Sequence, residues 1–220
     1  AHQLGTPISS MMGWVDLLEA EASPDDKAMH GTLKEMRTDL ARLTRVAQRF
    51  ERIGSQPKLE PLDVNEVIQD VVVYLRKRLP TRGRRKVELV AQLEEVELVP
   101  GDRELISWTI ENILKNSIDA ILRGETGSEV TVRTAPGNPG GVRILFEDDG
   151  PGIPEALQNR IFDPGFTTKT RGWGLGLALA RRIVEEYHGG RIRLLRSTPG
   201  VRTVFAVSFP AGQDPSRSRN

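Results

Sequence analysis

Apolar residues at Leu4, Ile8, Met11, Val15 and Leu18 stand at alternating steps of four and three, and Leu33, Met36, Leu40, Leu43, Ala47 and Phe50 repeat the pattern. That spacing draws one narrow stripe along a helix, at the period of a coiled-coil seam. Between the two runs, Ala22-Ser-Pro-Asp-Asp26 breaks the periodicity and supplies helix-starting carboxylates, which predicts two antiparallel helices joined by a short turn. One hairpin cannot bury both stripes fully. Two copies can, as a four-helix bundle, so residues 2–53 are expected to form a homodimer; the competing reading packs the hairpin on the rest of its own chain.

Beyond residue 54 the pattern changes. Ser55 to Pro61 reads as a polar, proline-containing linker, and Asp63-Val-Asn-Glu66 as a capping box opening a helix with Val67, Ile68, Val71, Val72 and Leu75 turned inward. Alternating segments at Lys86 to Leu93, Glu129 to Arg133, Val142 to Phe146, Arg191 to Leu195 and Thr203 to Phe209 predict strands, interspersed with helices near 102–122 and 174–188. The expected fold class is α+β: a helical hairpin, then an α/β sandwich whose mixed sheet carries helices on one face. Gly150 to Gly172 has too little apolar content to pack firmly and reads as a mobile lid, and Ala211 to Asn220 as a disordered tail.

Length and charge add limits. The chain has 220 residues, enough for one ordinary domain and a smaller element. With 31 basic and 30 acidic residues it has no global field that argues for nucleic acid or an acidic membrane surface. The basic cluster from Arg76 to Lys86 reads as a solvated helix end and loop. Absence of cysteine excludes disulfides and thiolate metal sites and fits a cytoplasmic setting. No apolar run reaches the roughly 18 residues of a membrane span and no signal peptide is seen, so the expectation is no nucleic-acid partner and no membrane contact by this segment.

Three short motifs carry candidate chemistry. In Asn112-Ile-Leu-Lys-Asn116 the helical period puts Asn112, Asn116 and Asp119 on one face, where neutral amide oxygens can meet Mg²⁺ and amide donors can meet phosphate; alone, an ordinary solvated face is the plainer reading. A strand runs into Asp148 and breaks at Gly150 and Gly152, placing a carboxylate where it can accept from an exocyclic amine beside backbone open to a flat base; alone, an ordinary Asp-Gly turn is an equal reading. Gly172, Gly174 and Gly176 precede a helical stripe of Leu179, Ala180, Ile183, Val184 and Tyr187, a place for phosphate. No strand precedes this triplet, which rules out the Rossmann fingerprint.

In that order the three segments resemble the N, G1 and G2 boxes of sensor histidine kinases, whose ATP-binding fold is shared with gyrase, the Hsp90 chaperones and the mismatch-repair ATPases. Ile161-Phe-Asp-Pro-Gly-Phe-Thr-Thr-Lys169 looks like that family's F box and ATP lid, and His2-Gln-Leu-Gly-Thr6-Pro7 resembles its H box. The resemblance spans about residues 2–210 and implies a dimerisation and phosphoacceptor hairpin at 1–54, a linker at 55–61, a catalytic ATP-binding domain at 62–210 and a tail at 211–220. It implies ATP and Mg²⁺ as cofactors, with Asn112 and Asn116 toward the metal. The nucleotide set becomes Asn112, Lys115, Asn116, Asp148, Gly150, Gly152, Thr168, Lys169, Gly172, Gly174, Leu175 and Gly176. The partners implied are a second copy and the receiver domain of a response regulator; a sensor segment, with any membrane anchor, would precede Ala1.

His2 falls off the apolar stripe, as a phosphoacceptor must, and neutral imidazole is nucleophilic near pH 7. Pro7 would bend the helix just below it. The match departs at Gln3, where many such kinases carry an acid; glutamine can hold the ring but takes no proton at neutral pH. Thr6 matches the residue that orients water in dephosphorylating the receiver, so phosphatase action is expected beside kinase action, and Gln3 keeps open a weak kinase, a phosphatase-only variant or a nucleotide-binding scaffold. The rival class of hydrolytic machines needs a glutamate base at the position held by Asn112, and an amide cannot deprotonate water. Serine kinases of the same fold are opposed by the hairpin and its histidine.

Overall fold

The computed structural model describes residues 2–23, 25–54, 57–79, 86–169 and 173–212, without the side chains of residues 2–6, 42 and 45–54. The chain divides into two compact units, Ala1–Pro57 and Lys58–Asn220.

The first unit is a hairpin of α1 (His2–Glu21) and α2 (Lys27–Gly54). Asp26 starts the second helix by accepting from the Met29 N–H at 2.9 Å. The apolar stripes divide their members: Ile8, Val15, Leu33 and Leu40 are buried between the two helices, whereas Met11, Leu18 and Met36 stay 42–47% exposed. Arg37 of α2 fixes the register by donating to Asp16 at 2.6 Å and to Glu19 on α1. The helix runs through Pro7, which removes the i→i−4 bond that a residue with an N–H would make to the Gln3 carbonyl.

The second unit begins within the stretch read as a linker. There β1 (Glu60–Leu62) pairs antiparallel with β3 (Val99–Gly101), a two-stranded sheet too short to show as alternation. Asp63 caps α3 (Val64–Arg76), accepting from Asn65 N–H at 2.8 Å. The reciprocal half of the expected capping box does not form in this structure: Glu66 accepts from Arg103 of the next long helix instead. Arg76, read as a solvated helix end, donates twice to the Leu89 carbonyl and ties α3 to β2 (Glu88–Leu93).

The main sheet has the order β2-β4-β5-β7-β6, with β4 (Glu129–Pro136), β5 (Val142–Asp148), β6 (Arg191–Thr198) and β7 (Arg202–Phe209). Only the β2–β4 pair is parallel, because α4 (Arg103–Gly124) supplies the crossover between them. One face alternates Leu89, Val130, Val132, Ile144, Phe146, Val207 and Phe205 into a core shared with α3, α4 and the last helix. That helix is α6 (Gly176–Arg182), which widens without a break into a π-helical turn at Ile183–Tyr187. The expected mixed sheet with helices on one face is the observed one.

A correction concerns the expected lid. Within Gly150 to Lys169 the chain forms a short helix, α5 (Glu155–Gln158), buries Ile161 and packs Phe162 and Phe166 on its own domain's core, with Phe162 edge-on to Phe205 at 6.3 Å. The segment is anchored because its few apolar residues are large.

Candidate functional site

Residues for the site come from α4, the end of β5 and the segment between β5 and α6. Asp148 closes β5 and is 3% exposed. Its Oδ2 accepts from the Ser117 hydroxyl at 2.8 Å and its Oδ1 from the Gly150 N–H at 3.2 Å. Burial pushes its carboxyl above the ordinary range; those two hydrogen bonds oppose the rise, and the neighbouring charges of Asp149 and Glu147 add to it. Each carboxylate oxygen retains a lone pair, so the group can still accept from an amine. Gly150 is required by close approach: a Cβ there would stand 2.8 Å from Asp148 Oδ1 and 3.2 Å from Ile121. Ser117 stands at helical spacing with Ile110, Ile113, Leu114 and Ile121 on the inward side of α4, so its depth was legible in the sequence; its partner 31 residues away was not.

Asp149, which shares the motif, does different work. Its carboxylate accepts from the Ser128 and Glu129 N–H groups, both at 2.8 Å, and fixes the start of β4.

On α4, Asn116 and Asp119 are brought together by the lid: Lys169 Nζ donates to Asn116 Oδ1 at 2.8 Å and to Asp119 Oδ2 at 2.7 Å. Asn112 sits one turn earlier, near the start of α6, where a Cβ on Gly176 would lie 3.5 Å from its Oδ1. The Asn112 side-chain N–H₂ is buried and has no protein partner among the described residues. A buried orphan donor costs about 1–3 kcal/mol, which a phosphate or other acceptor would recover. Lys115 is turned to Glu111, bonded at 2.6 Å, so that cation and the one neighbouring acid are committed to each other.

Gly174 holds the segment's return. Its φ is +64°, its carbonyl accepts from Gly165 N–H at 3.1 Å, and a Cβ would fall 2.4 Å from the Gly165 carbonyl carbon. Leu175 is the N-cap of α6 and makes no side-chain cap, Gly152 abuts the β6–β7 turn at Pro199, and Thr168 is exposed beside Lys169. His2, Gln3, Thr6 and Gly172 lie outside the described side chains or residues. Among the described residues no three His, Asp or Glu side chains gather as a metal cage. At the carboxamide edge of α4, Asn116 Oδ1 accepts from the Lys169 ammonium.

Sequence reasoning passed over one buried group, His188. Its Nδ1 contacts the Ile183 carbonyl at 2.7 Å, its Nε2 accepts from the Asp102 N–H at 3.0 Å, and its ring stands edge-on to Phe209 at 5.6 Å. Asp102 is the N-cap of α4, so His188 ties the π-helical turn after α6 to the helix that carries the candidate site.

With this geometry in view, residues 101–213 match the family described as histidine kinase-, DNA gyrase B- and HSP90-like ATPase. The C4-dicarboxylate transport sensor protein DctS of Rhodobacter capsulatus is 31% identical over 97% of this chain and 33% of its own length. The sensory histidine kinase/phosphatase NtrB of Klebsiella oxytoca is 32% identical over 96% of this chain and 60% of its own. The chain thus spans between a third and three fifths of these curated relatives. Among solved structures, the catalytic domain of histidine kinase ThkA superposes with a TM-score of 0.58 at 30% identity, over 69% of this chain and 95% of that one. A structure of ThkA in complex with response regulator protein TrrA gives 0.62 at 24% identity over 94% and 59%, a likeness of fold.

Proposed function

This chain belongs to the histidine kinase-, DNA gyrase B- and HSP90-like ATPase family, among its sensor histidine kinases, and from that premise we propose that it binds ATP with Mg²⁺, phosphorylates His2 and passes the phosphoryl group to an aspartate of a receiver domain. The observation that carries the nucleotide half is Asp148: a buried carboxylate, oriented by Ser117 and Gly150, with acceptor capacity left for the exocyclic amine that separates adenine from guanine. The residues fit the group. Asn112 offers a buried amide without a partner, Asn116 an oxygen that holds a cation, and Lys169 an ammonium at the same edge. Mg²⁺ there would neutralise phosphate charge while the carboxamides orient it.

Each residue then has a task. Asp148 would select the base, Asn112 and Asn116 would hold metal-bound phosphates with Lys169, and the glycines before α6 would let backbone N–H groups approach them. His2 supplies a neutral ring nitrogen as nucleophile. Gln3 orients the ring without taking its proton, which slows the step relative to an acidic neighbour. No carboxylate occupies the position of Asn112, where the hydrolytic machines place their base, which favours keeping bound ATP for transfer. Thr6, with the kinase/phosphatase name of the NtrB relative, supports a second activity, dephosphorylation of the receiver. Residues 2–53 make the homodimer, and the setting is cytoplasmic. Among the described residues no helix is long and apolar enough to cross a membrane.

The test uses γ-labelled ATP and Mg²⁺ on the full chain. Acid-labile, base-stable label is expected on wild type, more of it on Gln3→Glu, and none on His2→Ala. Label that survives His2→Ala refutes the acceptor assignment. Nucleotide binding with no label in either His2-containing protein would leave the phosphatase or scaffold reading, which Gln3 favours.

A further inference from the structure

Lys169 occupies a position that the proposed function alone does not explain. Its ammonium sits between two α4 side chains three residues apart, Asn116 and Asp119, and spends two of its three donors there. Asn116 Oδ1 is the oxygen assigned to the divalent cation, so a cation already stands on it. Two cations cannot share one carboxamide oxygen at bonding distance, since their repulsion is strong wherever water is partly excluded. Lys169 and Mg²⁺ are therefore alternatives at this oxygen.

What decides the occupant is Asp119. A neutral amide alone holds a lysine weakly, whereas a carboxylate adds a charge-assisted bond. The Lys169 side chain is only 27% exposed, and Asp119 47%, so screening of the pair is partial. No other cationic side chain bonds the Asp119 carboxylate among the described residues; Arg123, one turn on, donates to its backbone carbonyl. We propose that Asp119 is a positioning residue that keeps Lys169 on Asn116 as a resident cation, and that a metal-bound nucleotide loads by displacing this ammonium. Release then frees Lys169 to meet phosphate, which couples metal entry to movement of the segment ending at Lys169. The inference rests on the reading of Asn116 as a cation ligand, and it predicts that the metal-free nucleotide, which does not contest Asn116, depends less on Asp119 than the metal-bound one.

The experiment compares wild type, Asp119→Ala and Asp119→Glu as full chains, by hydrogen exchange over residues 161–169 without nucleotide and by calorimetric binding of ADP in excess Mg²⁺ or in EDTA. Asp119→Ala is expected to exchange faster in that segment and to bind Mg–ADP about twofold to fivefold tighter, the scale of one part-exposed ion pair. Its gain in EDTA should be smaller than in Mg²⁺, and Asp119→Glu should return both readouts toward wild type. Unchanged exchange, or Mg–ADP affinity that is unchanged or weaker in Asp119→Ala, overturns the resident-cation role. Failure of wild type to bind ADP in either buffer removes the nucleotide reading itself, a separate result.

Discussion

At Asp148 a structural cost stands beside the binding role proposed for it. The fold buries its carboxyl and raises its pKa, so ionisation at neutral pH works against the folded state; the group's favourable contribution is full below the ordinary value of 3.8 and is lost as pH rises through the folded value. Asp148→Asn removes that cost, and Asn can still accept from Gly150 and donate toward Ser117. The unfolding midpoint of the nucleotide-free protein at pH 7 should therefore equal or exceed wild type, with the difference closing toward pH 4. Nucleotide affinity should fall by about 10-fold to 100-fold or more, the loss of a hydrogen bond to a charged acceptor. Calorimetry and thermal unfolding on the same samples check both; a variant that binds as well as wild type would remove Asp148 from the base-binding role.

At the scale of elements, His188 joins the π-helical turn after α6 to the start of α4, the two helices that flank the site. Burial lowers its pKa, against the raising effects of the Ile183 carbonyl and the Asp102 charge. The neutral ring accepts from the Asp102 N–H, and a protonated ring cannot. Its stabilisation is thus full above the unfolded value of 6.5 and is lost as pH falls through the lower folded value. Thermal unfolding of wild type should lose stability as pH drops below 6.5. His188→Gln, which can accept from Asp102 and donate to Ile183 without titrating in this range, should flatten that part of the profile; an identical slope in the variant would mean that other groups set it.

For the molecule as a whole, the hairpin poses the question of assembly. Ile8, Val15, Leu33 and Leu40 satisfy the inside of one hairpin, and Met11, Leu18 and Met36 remain on its outside. Seams with three of their eight described members exposed are what a second copy would cover. Met36→Glu should convert a dimer to a monomer by light scattering while nucleotide affinity of the second unit stays unchanged. A wild type that is monomeric at micromolar concentration would return the exposed methionines to ordinary surface.

The sequence alone determined much here. Helix periods, the breaks at Asp148-Asp149-Gly150 and the glycines before α6 are local signals, written within a turn or a strand, so the strands of the main sheet, its helices and the segments bearing Asn112, Asn116, Asp148 and Gly174 were legible. Tertiary structure decided what depends on partners distant in the chain. Ser117 meets Asp148 across 31 positions, Lys169 reaches Asp119 across 50, and His188 accepts from Asp102 across 86. The pairing of β1 with β3 and the anchoring of the lid by Phe162 and Phe166 belong to the same class. A residue's type and spacing state what bonds it can make; which groups it finds is settled only when the chain closes its loops and burial makes an unpaired donor or charge too costly to keep.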